Sequence, residues 1–115
     1  MPNWCFNKIR ITGNKTDIYQ IKDLLRDHKS KVFSLTRVIH VPESDPNQTR
    51  IDKWGTKWDT SDDRIVLENK EEIEYIFDTA WSPPIPVIEA LRKQFPKLYI
   101  SAFFDEPAME EAGYY

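Results

Sequence analysis

The chain has 115 residues, 40% hydrophobic, 30% charged and 13% aromatic, enough apolar material for one compact core and too short for two. No apolar run approaches the roughly 20 residues that span a bilayer, and the first ten residues lack a signal-peptide layout, so the sequence reads as a soluble, cytoplasmic domain with no membrane role. A net charge of −3 and a pI near 5.4 argue against a general nucleic-acid binder, and a single cysteine, Cys5, excludes an internal disulfide or a multi-thiolate metal site.

Residues 4–13 alternate as a strand does. Cys5, Asn7, Ile9 and Ile11 share one side; Trp4, Phe6, Lys8, Arg10 and Thr12 share the other. Gly13-Asn14 supplies the exit turn, and Thr16 reads as the N-cap of a helix over 17–28 with Asp17 in its positive first turn. Its Ile18, Ile21, Leu24 and Leu25 fall at helical spacing and form one buried stripe. Residues 31–41, holding Phe33, Leu35, Val38 and Ile39, fit a short strand or an extended apolar segment equally. Residues 43–50 read as an exposed loop, and 51–59 as an irregular segment pinned to the domain by Trp54 and Trp58.

Residues 64–68 and 72–79 predict two strands around a turn at Asn69-Lys70. In the second, Ile73, Tyr75 and Phe77 alternate with Glu72, Glu74 and Asp78, and Ile76 is the apolar exception on the charged side. The break at Trp81-Ser82-Pro83-Pro84-Ile85-Pro86 opens a second helix, with Ser82 as candidate cap. Val87, Ile88, Leu91 and Phe95 form its stripe, and Pro96 stops it. Residues 97–104 close as a strand, and 105–115 read as an acidic, loosely held tail.

The order strand, helix, strand, strand, helix, strand is the ferredoxin-like β-α-β-β-α-β pattern. It predicts an α+β domain over 1–104: a four-stranded antiparallel sheet, two helices on one face, and a long insertion (about 42–61) before the second strand. The uncovered face then receives Trp4, Phe6, Lys8 and Arg10 beside Glu72, Glu74, Ile76 and Asp78. Those carboxylates repel phosphate and can pair with Lys8 and Arg10, which disfavours base stacking of the RNA-recognition kind. Charge is also uneven along the chain: 8 Lys and Arg against 3 Asp and Glu in residues 1–40, and 8 against 16 in the rest.

No catalytic constellation is visible. Cys5 lies on the core side, where a thiol is a small buried hydrophobe with a raised pKa. His28 and His40 lack metal spacing, and Gly13, Gly55 and Gly113 belong to no phosphate loop, so neither a metal nor a cofactor is expected. The strongest local oddity is Trp54-Gly55-Thr56-Lys57-Trp58-Asp59. Its indoles either form a ligand wall, with Lys57 and Asp59 as polar contacts, or bolt the insertion over the helix-free face; burial is the commoner use of tryptophan. Thr79-Ala80-Trp81-Ser82-Pro83-Pro84 is likewise an anion-receiving helix start or a rigid corner. Asp105 and Glu106 put two carboxylates at a strand end, where solvation is the expected state.

Three segments together carry a resemblance: Met1-Pro2-Asn3-Trp4-Cys5-x-Asn7, Trp54-Gly55-Thr56-Lys57-Trp58-Asp59 and Phe77-x-Thr79-Ala80-Trp81-Ser82-Pro83-Pro84. In the same order they resemble the YubB-like family, small ferredoxin-like proteins of phages, plasmids and enterobacterial genomes with no assigned function. Glu106-Pro107 is a weaker fourth match, with Ala108 where the family pattern has glycine and Lys53 where it has asparagine. The resemblance implies the fold and a mobile-element setting, and no reaction. It also sharpens one spatial expectation: a shared cluster of Asn3, Trp4, Trp54, Lys57, Trp58, Asp59, Thr79 and Trp81, with Glu106 at its edge. Two functions fit. One is a non-enzymatic phage- or plasmid-type accessory protein that binds a host protein, for instance to blunt a defence system. The other is a small-molecule module or small enzyme that grips a nucleotide-like ligand. A deep pocket between the tryptophan loops, with Asp59 or Glu106 inside it, would favour the second; self-association stays open.

Overall fold

The structure, a computed structural model, describes residues 3–27 and 30–115. Met1, Pro2 and the expected helix end at His28 lie outside the described residues. Nine-residue strands β1 (Trp4–Thr12), β2 (Ser61–Asn69) and β3 (Glu72–Ala80) join β4 (Tyr99–Glu106) and β5 (Glu111–Tyr114) in one antiparallel sheet, in the order β2-β3-β1-β4-β5. Helices α1 (Lys15–Leu25), α2 (Leu35–Val38), α3 (Asn47–Trp54) and α4 (Ile85–Gln94) bury residues in the same core as the sheet. The topology is ferredoxin-like, with five strands and four α-helices among the described residues in place of the expected four and two.

The core follows from the period-2 alternation of β1 and β3. Ile9 and Ile11 face the helices beside Ile73, Tyr75 and Phe77, all essentially inaccessible to water. Ile18, Ile21 and Leu25 of α1 and Val87, Ile88 and Leu91 of α4 close over them. Phe33, Leu35 and Val41 show what the ambiguous 31–41 segment does: it runs through the core, and Leu35–Val38 make a single helical turn.

Four local expectations are corrected. The cap of α1 is Asn14, whose Oδ1 accepts from Asp17 N at 2.9 Å, so the helix starts before Thr16. It ends at Leu25, whose carbonyl accepts Ser34 N and draws the next segment back under it. Helix α4 begins after Pro84, while Ser82 donates to the Gly55 carbonyl instead of capping. The expected loop at 43–50 leads into α3, which buries only Trp54 and therefore leaves no apolar periodicity to read.

The tail is also more ordered than expected. Glu106 Oε2 accepts from Met109 N at 2.6 Å and stabilises a 3₁₀ turn over Pro107–Met109; Glu110, with φ 54°, reverses the chain. Strand β5 then pairs with β4, Tyr114 meeting Phe103 edge-on at 5.3 Å between centroids. Tyr115 finishes the anchor: its N–H donates to Ala102 O, and its hydroxyl donates to Asn7 Oδ1 at 2.8 Å.

Candidate functional site

Three distant segments do converge at one corner of the sheet. Register pairs Trp4 with Ala80, and Trp81 N donates to Asn3 O at 2.8 Å, so the start of β1 and the end of β3 lie side by side. The insertion is fastened to the same place: Thr56 Oγ1 donates to Ala80 O at 2.7 Å, and Ser82 Oγ donates to Gly55 O. On the helix-free face the Trp4 and Trp58 rings lie 6.3 Å apart, tilted by 51°, and Lys57 Nζ sits 5.2 Å from the Trp58 ring centroid. Trp4 and Trp58 are each 40% exposed.

Trp81 is more exposed still, at 47%, and its backbone is strained. Ser82 N donates to Ala80 O across it, closing a three-residue turn in which Trp81 takes φ 74°. Such turns are rare, and a non-glycine residue held there costs on the order of 1–3 kcal/mol. Glycine would take that conformation more cheaply.

The expected cluster otherwise divides through the sheet. Trp54 lies on the helix side, 3% exposed, with Nε1 donating to Ile39 O at 2.7 Å. Asp59 braces α2, accepting from Leu35 N at 2.8 Å and from Ser34 Oγ at 3.2 Å. Thr79 is buried: its hydroxyl accepts from Asn7 Nδ2 at 2.9 Å and donates to Ser82 O at 2.7 Å. Glu106, expected to be solvated, is 2% exposed, because its carboxylate turns inward to hold the Met109 amide. The cluster is thus a surface part (exposed Trp4, Trp58 and Trp81 with half-buried Lys57 and Asn3) and an internal brace (Trp54, Asp59, Thr79, Glu106).

Sequence reasoning missed the polar network that holds this corner. Asn7 is fully buried and gathers Cys5 O, Thr79 and Tyr115, and Thr56 locks the insertion to β3. A polar Asn on the core face of an otherwise apolar alternation was the available signal. Around it, burial pushes the Cys5 thiol up to about 11, opposed by the Thr79 hydrogen bond and reinforced by Glu106, Asp105 and Asp78. Burial, and then the Cys5 charge, likewise raises the Tyr115 hydroxyl, with Arg92 opposing. On the open face burial also raises the Asp78 carboxyl; Asp62 adds to this and Arg64 opposes it. Among the described residues no group of His, Cys, Asp and Glu is placed to hold a metal ion, and no helix is long and apolar enough to cross a membrane.

Fold and corner together define a ferredoxin-like α+β domain with one sheet face left bare of helices. The family model described as the ferredoxin-like domain in Api92-like protein matches residues 53–115, and the chain belongs to that family. A crystal structure of protein Api92 from Yersinia pseudotuberculosis is similar over 99% of this chain and 93% of that one, with a TM-score of 0.71 and 11% identity, a likeness of fold alone. No curated protein matches the chain significantly.

Proposed function

We propose that the chain is a non-enzymatic accessory binding protein of a phage or plasmid, which engages a host protein through the tryptophan corner of its open sheet face, as an inhibitor of a defence system would. The observation that carries this reading is Trp81, held exposed in a conformation that opposes folding. Trp4 and Trp58, paired on the open face at the same corner, supply amphipathic contact area with little side-chain entropy to lose, the composition of interface hot spots. A nucleotide-like ligand is the less supported reading. Trp54, one of its proposed walls, and Asp59, one of its polar contacts, are committed to the core and to α2, and Thr56 and Ser82 hydrogen-bond the two loops directly together.

The test compares wild type with Trp58→Ala in capture from bacterial host lysate, with thermal melting as the folding control. The reading expects a reproducible partner for wild type and at least a tenfold loss in the variant, whose fold survives. Repeated absence of a wild-type partner, undiminished capture by the variant, or global unfolding of the variant each rejects it; the last would make Trp58 a clamp.

A further inference from the structure

Strand register arranges the open face in rows across the sheet. Asp78, Phe6, Asp105 and Ala112 form one row; Arg64, Ile76, Lys8, Phe103 and Tyr114 form the next, about 7 Å along the strands. Trp4 stands two residues before Phe6 on β1, and Arg10 two residues after Lys8. A groove of about 380 Å³ opens between Phe6, Arg10, Glu74, Ser101 and Phe103.

This pattern is self-complementary. A two-fold axis that crosses the strands at the level of Asn7 carries each row onto the other. Asp78 and Asp105 then lie over Ile76 and Phe103 of a second copy, flanked by that copy's Arg64 and Lys8. Phe6 lies over the second copy's Lys8. Trp4 lies over its Arg10, and so at the groove. Aromatic faces meet cations, and each carboxylate has a cation as its diagonal neighbour, Arg64 and Lys8 for Asp78 and Lys8 for Asp105.

We propose that a second copy of this chain covers the open sheet face, giving a two-fold dimer in which Trp4 of each copy enters the groove beside Arg10 of the other. This rests on the open face being the interaction surface; Trp4 then belongs to the dimer, and Trp58 and Trp81 are left for the host protein. Trp81 lies past the end of β3, at the rim of the stacked area, where a further protein can reach it. Four strands of eight or nine residues and one of four, about 4.8 Å apart, present roughly 600 Å² per copy, so stacking removes roughly 1,200 Å² in total, the lower bound of stable interfaces. Charge argues the same way: Lys8, Arg10 and Arg64 stand among Glu72, Glu74, Asp78 and Asp105, a mixed surface that fits its own two-fold image and repels a polyanion.

Size-exclusion chromatography with light scattering tests the dimer. Wild type at high micromolar concentration is expected at twice its 13.7 kDa mass, falling to 13.7 kDa on dilution. Lys8→Glu alone, and the double variant Asp78→Lys with Asp105→Lys alone, are each expected to be monomeric there. Their equimolar mixture is expected to recover the doubled mass, because the swapped charges face each other again. Should either swapped protein fail to fold by circular dichroism, Trp4→Ala takes its place, with at least a tenfold weaker dimer expected. A wild-type monomer at every concentration, a folded pair that does not recover on mixing, or an unweakened Trp4→Ala dimer overturns the proposal. A wild-type monomer that still captures a Trp58-dependent partner removes the dimer alone; a dimer without such a partner removes the host-binding reading alone.

Discussion

Replacing Asp59 by alanine discriminates a brace from a ligand contact. Its Oδ1 accepts from Leu35 N at 2.8 Å and from Thr60 N at 2.7 Å, and its Oδ2 accepts from Ser34 Oγ at 3.2 Å. Ser34 and Leu35 are fully buried, so the Leu35 amide loses its acceptor inside the fold when the carboxylate is gone. A hydrogen bond to a charged group contributes about 1.5–3 kcal/mol, and a stranded buried donor costs about 1–3 kcal/mol. Asp59 is itself half-buried, which lets water replace part of what is lost. The expected net destabilisation is about 3 kcal/mol, a fall of about 12 °C in melting temperature for a domain of this size. Urea unfolding, followed by tryptophan fluorescence and circular dichroism together, measures it as a lower midpoint at unchanged slope. Asp59→Asn keeps an acceptor for Leu35 and should recover about half of the loss. A cost below about 0.5 kcal/mol for Asp59→Ala refutes the reasoning and frees the carboxylate for a ligand.

Two further outcomes follow from the same corner. Burial holds the Cys5 pKa at about 11, above its ordinary value near 9, so the thiol contributes stability that is complete below about pH 9 and is lost as pH rises through about 11. The urea midpoint of wild type should therefore fall more steeply over that interval than that of Cys5→Ala; parallel pH profiles would contradict the buried thiol. Trp81→Gly removes the strain of a positive φ together with the exposed indole, so its melting temperature should hold or rise, by up to about 1 kcal/mol of stability, while the captured partner is lost. A destabilisation above about 1 kcal/mol would make Trp81 a packing residue.

What the sequence disclosed depended on periodicity. Strand β1 was legible because eight of its positions obey a strict alternation, from Trp4 out and Cys5 in to Arg10 out and Ile11 in, and its pairing with β3 fixed which face would stay bare. Helix α3 was hidden because one buried residue, Trp54, makes no stripe, and its C-terminus is set by tertiary contacts at Gly55. Strand β5 was hidden for a related reason. Glu111-Ala112-Gly113-Tyr114 has a single large apolar side chain, and what makes it a strand is the Glu106 side chain folding the preceding turn, an interaction that carboxylate counting reads as solvated charge. For the corner, the meeting of the β1 start with the β3 end was legible from antiparallel geometry, while the arrival of the insertion there was expected only from the family resemblance. Which side of the sheet each side chain occupies was not legible, because the insertion has no period from which to read it.

Gly55 decides that question. Trp54 and Trp58 are four residues apart, and had α3 continued, both indoles would lie on one helical face and serve one surface. Instead Gly55 takes φ 82° and ends the helix, with its N–H donating to Ile51 O at 2.9 Å. The position also tolerates no side chain, since a Cβ there would lie 2.7 Å from Pro86 Cδ and 3.1 Å from Pro83 O. The chain therefore passes close against the start of α4, and Thr56 catches the last carbonyl of β3. Beyond that crossing Trp58 emerges on the open face against Trp4, while Trp54 remains behind in the core. One left-handed residue thus lets a single short motif serve stability with its first indole and place its second on the open face. It is also why motif-level reading grouped side chains that the sheet keeps apart.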